Sequence, residues 1–252
     1  MKKILAGKVA LVTGGSRGLG AATAEALAEQ GADVAISYVA SAEKARAVVE
    51  RLKATGVRAV AIQSDQADTA AAKTLVDQVL AHFGKLDILV ANAAIAVQGK
   101  TVDDPDLDTV NLDRQWQVNV LGTVATTRAV APVLSDGGRI IFIGSLLGGH
   151  VPFNGVADYA GTKAAIAGYA KGVARDLGPR NITVNTVQPG IMPTDMAAAV
   201  GGDKLPDPMM DLHPIRRIAA LEEVTAVISL LAGPNGGYMT GGVIDVSGGL
   251  GI

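Results

Sequence analysis

A chain of 252 residues can form one large α/β domain or two small ones, and at this size a single domain buries roughly three-quarters of its unfolded surface. It is 49% hydrophobic but only 3% aromatic, with 31 glycines, so its core must pack aliphatic strands against helices with small faces. A net charge of −2 offers no basic field to nucleic acid or an anionic membrane, and the lack of cysteine excludes disulfides and thiolate metal sites, as suits a cytoplasmic protein.

The first six residues, Met1 to Ala6, are too short an apolar run for a leader, since Gly7 and Lys8 interrupt them and no cleavage pattern follows. Lys8–Thr13 is the first predicted strand. It runs directly into Thr13-Gly14-Gly15-Ser16-Arg17-Gly18-Leu19-Gly20, and a helix over Gly18–Gln30 follows. Glycines placed between a strand and a helix allow a tight turn, a close backbone approach to a pyrophosphate, and close strand–helix contact. The open N–H groups and dipole of the helix start then favour an anion. The loop therefore reads as a dinucleotide cradle.

The second strand, Asp33–Tyr38, chooses between cofactors. An NAD site usually carries a carboxylate at the end of this strand to hold the ribose 2′-hydroxyl. Here that place reads Ile36-Ser37-Tyr38-Val39, and Asp33 lies at the far end. Arg17 inside the loop could meet a 2′-phosphate bidentately, Ser37 could donate to it, and Lys44 adds charge. NADP(H) is expected over NAD(H).

The pattern then repeats: helix Ser41–Thr55, strand Val57–Gln63, helix Thr69–Phe83, strand Leu86–Ala91, helix Asp108–Leu134, strand Gly138–Gly144, helix Asp158–Leu177, strand Ile182–Gln188, helix Leu221–Ala232 and strand Val243–Val246. The strands read as continuously apolar rather than alternating, which predicts a parallel sheet covered on both faces. The alternation predicts a doubly wound α/β fold, with ligands at the strands' C-terminal edge. No linker or composition break appears, so residues 1–252 are expected to form a single domain. The longest uncharged stretch, Ile140–Ala157, holds Ser145, His150, Pro152, Asn154 and several glycines, which argues against a membrane span. The irregular stretch Ile191–Pro214 is expected to be a flap over a substrate.

Tyr159 and Lys163 stand four apart at the start of a predicted helix and share a face. An ammonium beside a phenol favours phenolate, which would tune Tyr159 as a general acid near neutral pH. Ser145 follows a strand at its C-terminal edge, where its hydroxyl could bind a carbonyl. Tyr-x-x-x-Lys alone is a frequent pattern; together with Ser145 and the glycine loop it outlines a catalytic site.

With these residues in place, the chain resembles the short-chain dehydrogenase/reductase family over nearly its whole length, particularly its 3-oxoacyl-acyl-carrier-protein reductase-like and carbonyl reductase members. Gly14, Gly18 and Gly20, with Ser16, Arg17 and Leu19 between them, match the family's cofactor loop. Asp65 matches the acid that contacts the adenine, with Gln66 beside it. Asn92-Ala93-Ala94 corresponds to the Asn-Ala-Gly segment at the cofactor ribose, and Asn119 to the helix asparagine that holds a proton-relay water. Ser145, Tyr159 and Lys163 match the other catalytic members. Pro189-Gly190-Ile191 with Thr194 matches the turn that grips the nicotinamide carboxamide and pyrophosphate. The resemblance implies a single-domain Rossmann fold of seven parallel strands in the order 3-2-1-4-5-6-7, with Lys163 also on the nicotinamide ribose. It further implies a homotetramer formed through the two long helices. One departure is Ala94, which brings a Cβ where glycine is common and would cost stability if the position needed positive φ.

His82, His150 and His213 are scattered without ligand spacing, so no metal site is expected. Trp116 reads as a packing residue. Ala160, Ala164, Gly168 and Gly172 make a small-residue ridge that could face the sheet or a second subunit. Leu146, Leu147, Val151, Phe153, Met192, Met196 and Met209 suggest an apolar substrate pocket. The leading expectation is an NADPH-dependent reductase of a ketone or 3-oxoacyl-type carbonyl, a small molecule, without nucleic-acid or membrane partners. Two alternatives stand beside it. One is an NAD-dependent alcohol, sugar or steroid dehydrogenase on the same fold, the other a non-catalytic nucleotide-binding regulatory protein.

Overall fold

In a computed structural model that describes residues 3–198 and 210–252, each predicted strand forms, and consecutive apolar side chains alternate between two faces of one sheet. In β1 (Val9–Val12), Ala10 and Val12 join one core while Val9 and Leu11 join the other. The remaining strands are β2 (Asp33–Tyr38), β3 (Ala59–Gln63), β4 (Leu86–Ala91), β5 (Leu134–Ile143), β6 (Thr183–Pro189) and β7 (Val243–Val246). All six neighbouring pairs are parallel, in the order β3-β2-β1-β4-β5-β6-β7. The order reverses direction between β1 and β4, and that crevice is where an open parallel sheet receives a ligand.

Helices cover both faces. On one lie α1 (Gly18–Glu29), α2 (Ala42–Ala54) and α8 (Leu221–Ala232), packed through residues such as Ala24, Leu27, Val48, Leu52, Ile228 and Leu231. On the other lie α3 (Ala71–Phe83), α5 (Thr123–Val130) and α6 (Ala157–Leu177), packed through Leu75, Val79, Val130, Ile166 and Ala170. Phe142, fully buried in β5, meets Tyr169 of α6 edge to face at 6.1 Å. The small-residue ridge does not face the sheet: Ala164, Gly168 and Gly172 are exposed, and a Cβ on either glycine would meet open space.

The predicted helix Asp108–Leu134 is divided and shorter. It comprises α4 (Thr109–Trp116), a π-helical turn over Gln117–Gly122, and α5, which ends at Val130. Pro132 cannot donate the backbone bond that would continue the helix, and Leu134 instead begins β5 opposite Leu86. Gly122 in the π turn is required by proximity, since a Cβ there would overlap the Gln66 carbonyl. Of the irregular stretch Ile191–Pro214, the part from 199 to 209, with Met209, lies outside the described residues. Within the rest, α7 (Asp195–Ala198) begins beside the site. No helix of the described residues is long and apolar enough to cross a membrane.

Candidate active site

Because all seven strands run one way, the loops after β1, β3, β4, β5 and β6 meet at one edge, and they carry the predicted site residues. The loop after β1 is fixed from beneath. Thr13 is fully buried, and its Oγ1 accepts from the N–H groups of Asn92 and Ala93, both at 3.0 Å. The Asn92 side-chain amide donates back to the carbonyls of Thr13 at 2.9 Å and Gly14 at 3.3 Å. Gly14 has φ +65°, and a Cβ there would stand 2.9 Å from the Ala93 Cα, so only glycine fits. With the loop's carbonyls held inward, the N-terminus of α1 opens toward the crevice. Its cap residue Arg17 makes no side-chain cap, and no acid occupies the first turn. Ser16 and Gly18 are partly exposed, whereas Leu19 and Gly20 are buried and can offer only backbone. This cradle fits a dinucleotide pyrophosphate.

Two expectations about the cofactor's far end change. Ser37 is 3% exposed and accepts from the Gly14 N–H at 3.2 Å, so it props the loop instead of facing a 2′-phosphate. Arg17 is exposed as expected, but its guanidinium donates to Asp195 at 2.9 Å, and Lys44 approaches the same carboxylate oxygen at 3.8 Å. Tyr38 closes β2 half-buried against the first core. Asp65 sits at the edge after β3, with its carboxylate held below its ordinary pKa, first by the Ala67 N–H and then by Arg114 at 3.0 Å. Gln66 beside it is buried, its amide 3.4 Å from Thr123 Oγ1. Ala94 carries no left-handed strain, because Asn181 is the only non-glycine with positive φ among the described residues.

The four predicted catalytic residues converge. Ser145 caps a short turn over Leu146–Gly148 and accepts from the Leu147 N–H at 3.2 Å, while its hydroxyl bonds with the Tyr159 phenol. Asn119, on the π turn, is 3% exposed. Its Oδ1 accepts from the Ile95 N–H at 2.9 Å, and its Nδ2 donates to the Ile95 carbonyl at 2.9 Å and to Thr162 Oγ1 at 3.2 Å. Thr162 in turn donates to the Tyr159 carbonyl at 2.8 Å, so Asn119 ties the loop after β4 to the first turn of α6. Widened π turns of this kind often mark functional positions.

Tyr159 and Lys163 share a face as predicted, with the ammonium 5.6 Å from the phenol ring centre. Their ionisation differs from expectation. Burial pushes the Tyr159 phenol up to about 12, opposed only by a hydrogen bond with Ser145. Burial pushes Lys163 down to about 8, and its Nζ donates to the Ile143 carbonyl at 3.0 Å. The ammonium does not lower the phenol as expected, and burial sets the direction for both groups.

Pro189 ends β6, and the N–H of Gly190 just beyond it donates to the Val246 carbonyl at 2.9 Å. The Ile191 carbonyl accepts from the Ala219 N–H at 2.9 Å, which tethers the next segment. That segment touches the site at three consecutive residues. Thr194 lies 3.4 Å from where a Gly18 Cβ would stand, Asp195 pairs with Arg17, and Tyr159 donates weakly to the Met196 sulfur at 4.0 Å. The predicted apolar lining divides. Val151 and Phe153 line a cavity of about 200 Å³ with Lys100 and Val102, whereas Leu146 is buried against the C-terminal segment near Gly251. Gln115, Thr162 and Asp195 were not legible as site residues. Gln115 is fully buried and accepts from the Val97 N–H at 2.6 Å, a contact between residues whose spacing carries no motif. Trp116 packs as expected, donating to Asp158 at 2.8 Å beside Tyr159.

A dinucleotide cradle beside a Ser-Tyr-Lys-Asn cluster defines a class, and comparison with known proteins agrees. Residues 14–251 match the family described as Enoyl-(Acyl carrier protein) reductase. The Cyclic-di-GMP-binding biofilm dispersal mediator protein of Escherichia coli (strain K12) is 38% identical, with 97% of this chain and 98% of that protein covered. The 3-oxoacyl-[acyl-carrier-protein] reductase of Staphylococcus aureus is also 38% identical, over 96% and 98%. A crystal structure of a short chain dehydrogenase from Burkholderia cenocepacia J2315 in complex with NADP superposes with a TM-score of 0.93 at 44% identity, covering 99% of this chain and 100% of that one. This chain belongs to the short-chain dehydrogenase/reductase family of oxidoreductases.

Proposed function

We propose that the protein is an NADPH-dependent reductase that converts a ketone or 3-oxoacyl-type carbonyl to a secondary alcohol, with Tyr159 as general acid. The observation that carries this reading is the convergence of Asn119, Ser145, Tyr159 and Lys163 at the edge that also holds the glycine cradle. When bound, NADPH would supply the hydride. Gly14, Gly18 and Gly20 would hold its pyrophosphate, Asn92 and Ala93 would border a ribose, and Thr194 would stand at the carboxamide end.

Ser145, its acceptor side occupied by Leu147, would donate to the substrate carbonyl oxygen. Tyr159 would donate to the same oxygen and transfer its proton as negative charge develops there. A phenol pushed up to about 12 stays protonated throughout the neutral range, so it is a reserve of one proton and not a standing phenolate. Lys163, poised near 8, would return that proton to Tyr159, and Asn119 would keep the relay side of α6 aligned. Val151, Phe153 and Met196 support an apolar substrate. The cofactor named with the Burkholderia structure and the activity named for the Staphylococcus relative support the reading. A homotetramer with its exposed Ala164–Gly172 ridge at a helix–helix contact belongs to the same proposal and is tested by sedimentation.

The test is NADPH oxidation against a panel of ketones and 3-oxoesters, with product chirality determined. Turnover with at least one apolar ketone is expected; silence across the panel would favour a non-catalytic nucleotide-binding role. An NAD-dependent dehydrogenase is the second reading, favoured by the prior engagement of Arg17 with Asp195. A clear NADH preference in steady-state kinetics would select it.

A further inference from the structure

Arg17 and Lys44 reach the same place from different elements. Arg17 caps α1 in extended backbone, and Lys44 stands in the first turn of α2, just past the acid-free end of β2. Between them they could hold a dianion. In the structure they hold Asp195, whose Oδ2 lies 2.9 Å from Arg17 and 3.8 Å from Lys44. The acid beside these cations thus lies 178 residues along the chain from Arg17, on the segment that also bears Thr194 and Met196.

We propose that Asp195 is a specificity-determining residue for the cofactor, an internal counter-ion that a 2′-phosphate must displace from Arg17 and Lys44. The proposal rests on the dinucleotide site described above. A phosphate monoester carries nearly two charges and three acceptor oxygens, so it can engage both cations where a single carboxylate oxygen now does. The exchange is feasible because all three side chains are 60% or more exposed and water competes for them already. A dinucleotide with a plain 2′-hydroxyl has no need to break the trio. Asp195 therefore narrows the gap between phosphorylated and unphosphorylated cofactors and allows the protein to use both. Without it, Arg17 and Lys44 become an uncontested phosphate site.

Calorimetric titration of the full-length protein tests this with NADPH, NADH, 2′,5′-ADP and 5′-AMP on wild type, Asp195→Asn and Arg17→Ala. Asp195→Asn is expected to bind NADPH and 2′,5′-ADP roughly twofold to fivefold more tightly, with NADH and 5′-AMP unchanged, the scale of exposed ion pairs. Arg17→Ala is expected to weaken NADPH and 2′,5′-ADP alone. If Arg17→Ala weakens them and Asp195→Asn leaves them unchanged or weaker, the counter-ion role is wrong while the 2′-phosphate site stands. If Arg17→Ala affects neither, the NADPH assignment itself fails and the proposal falls with it. Equal tightening of NADH and NADPH in Asp195→Asn would also overturn it, since the effect would then not follow the 2′-phosphate.

Discussion

The glycine loop and the Thr194–Met196 segment border the same crevice, and different forces hold them there. Beneath the loop, Thr13 and Asn92 exchange four hydrogen bonds with backbone groups, and Thr13 is fully buried. Across from it, the segment's ion pair to the loop joins side chains 60% and 61% exposed, and its contact to Tyr159 is a weak one through the Met196 sulfur. Buried donors that lose their acceptors have no water to replace them, whereas an exposed pair exchanges readily with solvent or another anion. A nucleotide-binding enzyme is served by this asymmetry: one wall is already in place before the ligand arrives, and the other can yield to it.

Tyr159 stands between the two walls, held by the Asn119–Thr162 chain on one side and touched by Met196 on the other. The largest expected effect is therefore at its hydroxyl. Tyr159→Phe should lower kcat by about 10²–10⁴-fold, the usual worth of a positioned general acid, while NADPH affinity stays within a few-fold. Near-normal reduction by the Phe variant would sink the assignment.

A pH profile separates the roles of Tyr159 and Lys163. Tyr159, pushed up to about 12, does not titrate in the working range, and Lys163, pushed down to about 8, does. If Lys163 returns the proton, the reduction rate should be level below pH 8 and fall roughly tenfold per unit above it. The stability contribution has the opposite sign. Lys163 has a lower pKa folded than its ordinary 10.5, so between about 8 and 10.5 the unfolded chain binds more protons, and this group's contribution to stability rises with pH. Activity that stayed level to pH 10 would remove Lys163 from proton return.

The strands and their parallel arrangement were legible in the sequence because they depend on local pattern, whereas the strand order and the place of Asn119 came from the family resemblance. Strands such as Val9–Val12 and Leu86–Ala91 are apolar at every position since both faces are covered. Tyr159 and Lys163 share a helix face by spacing alone. What was not legible depended on burial or on distant contacts. The direction of the Tyr159 shift follows from how deeply α6 sits, which spacing does not encode. Ser37 had the right chemistry for a phosphate, yet its register in β2 turns it under Gly14. The pairing of Arg17 with Asp195 joins the first loop to the end of the sixth strand's turn, and only the parallel edge brings them together. The end of α5 was readable from Pro132, but the apolar run through Leu134 obscured it.

The two walls can also be compared by stability alone. Thr13→Val keeps the side chain's shape and removes the acceptor for two backbone N–H groups, of Asn92 and Ala93. It should destabilise the fold by about 1–3 kcal/mol and lower Tm by several degrees. Asp195→Asn breaks an ion pair of similar length, 2.9 Å between Arg17 and Asp195, so distance alone predicts a comparable loss. Exposure predicts otherwise. With both partners in water, the pair contributes about 0.2–1 kcal/mol, and the change in Tm should be about 3 °C or less. Measured side by side by thermal unfolding, the two variants ask whether contact geometry or burial sets the strength of each wall. A Tm loss in Asp195→Asn equal to that of Thr13→Val would mean that the flap side is as firmly fixed as the loop. In that case, displacement by a 2′-phosphate would carry a cost too large for the exchange at Arg17.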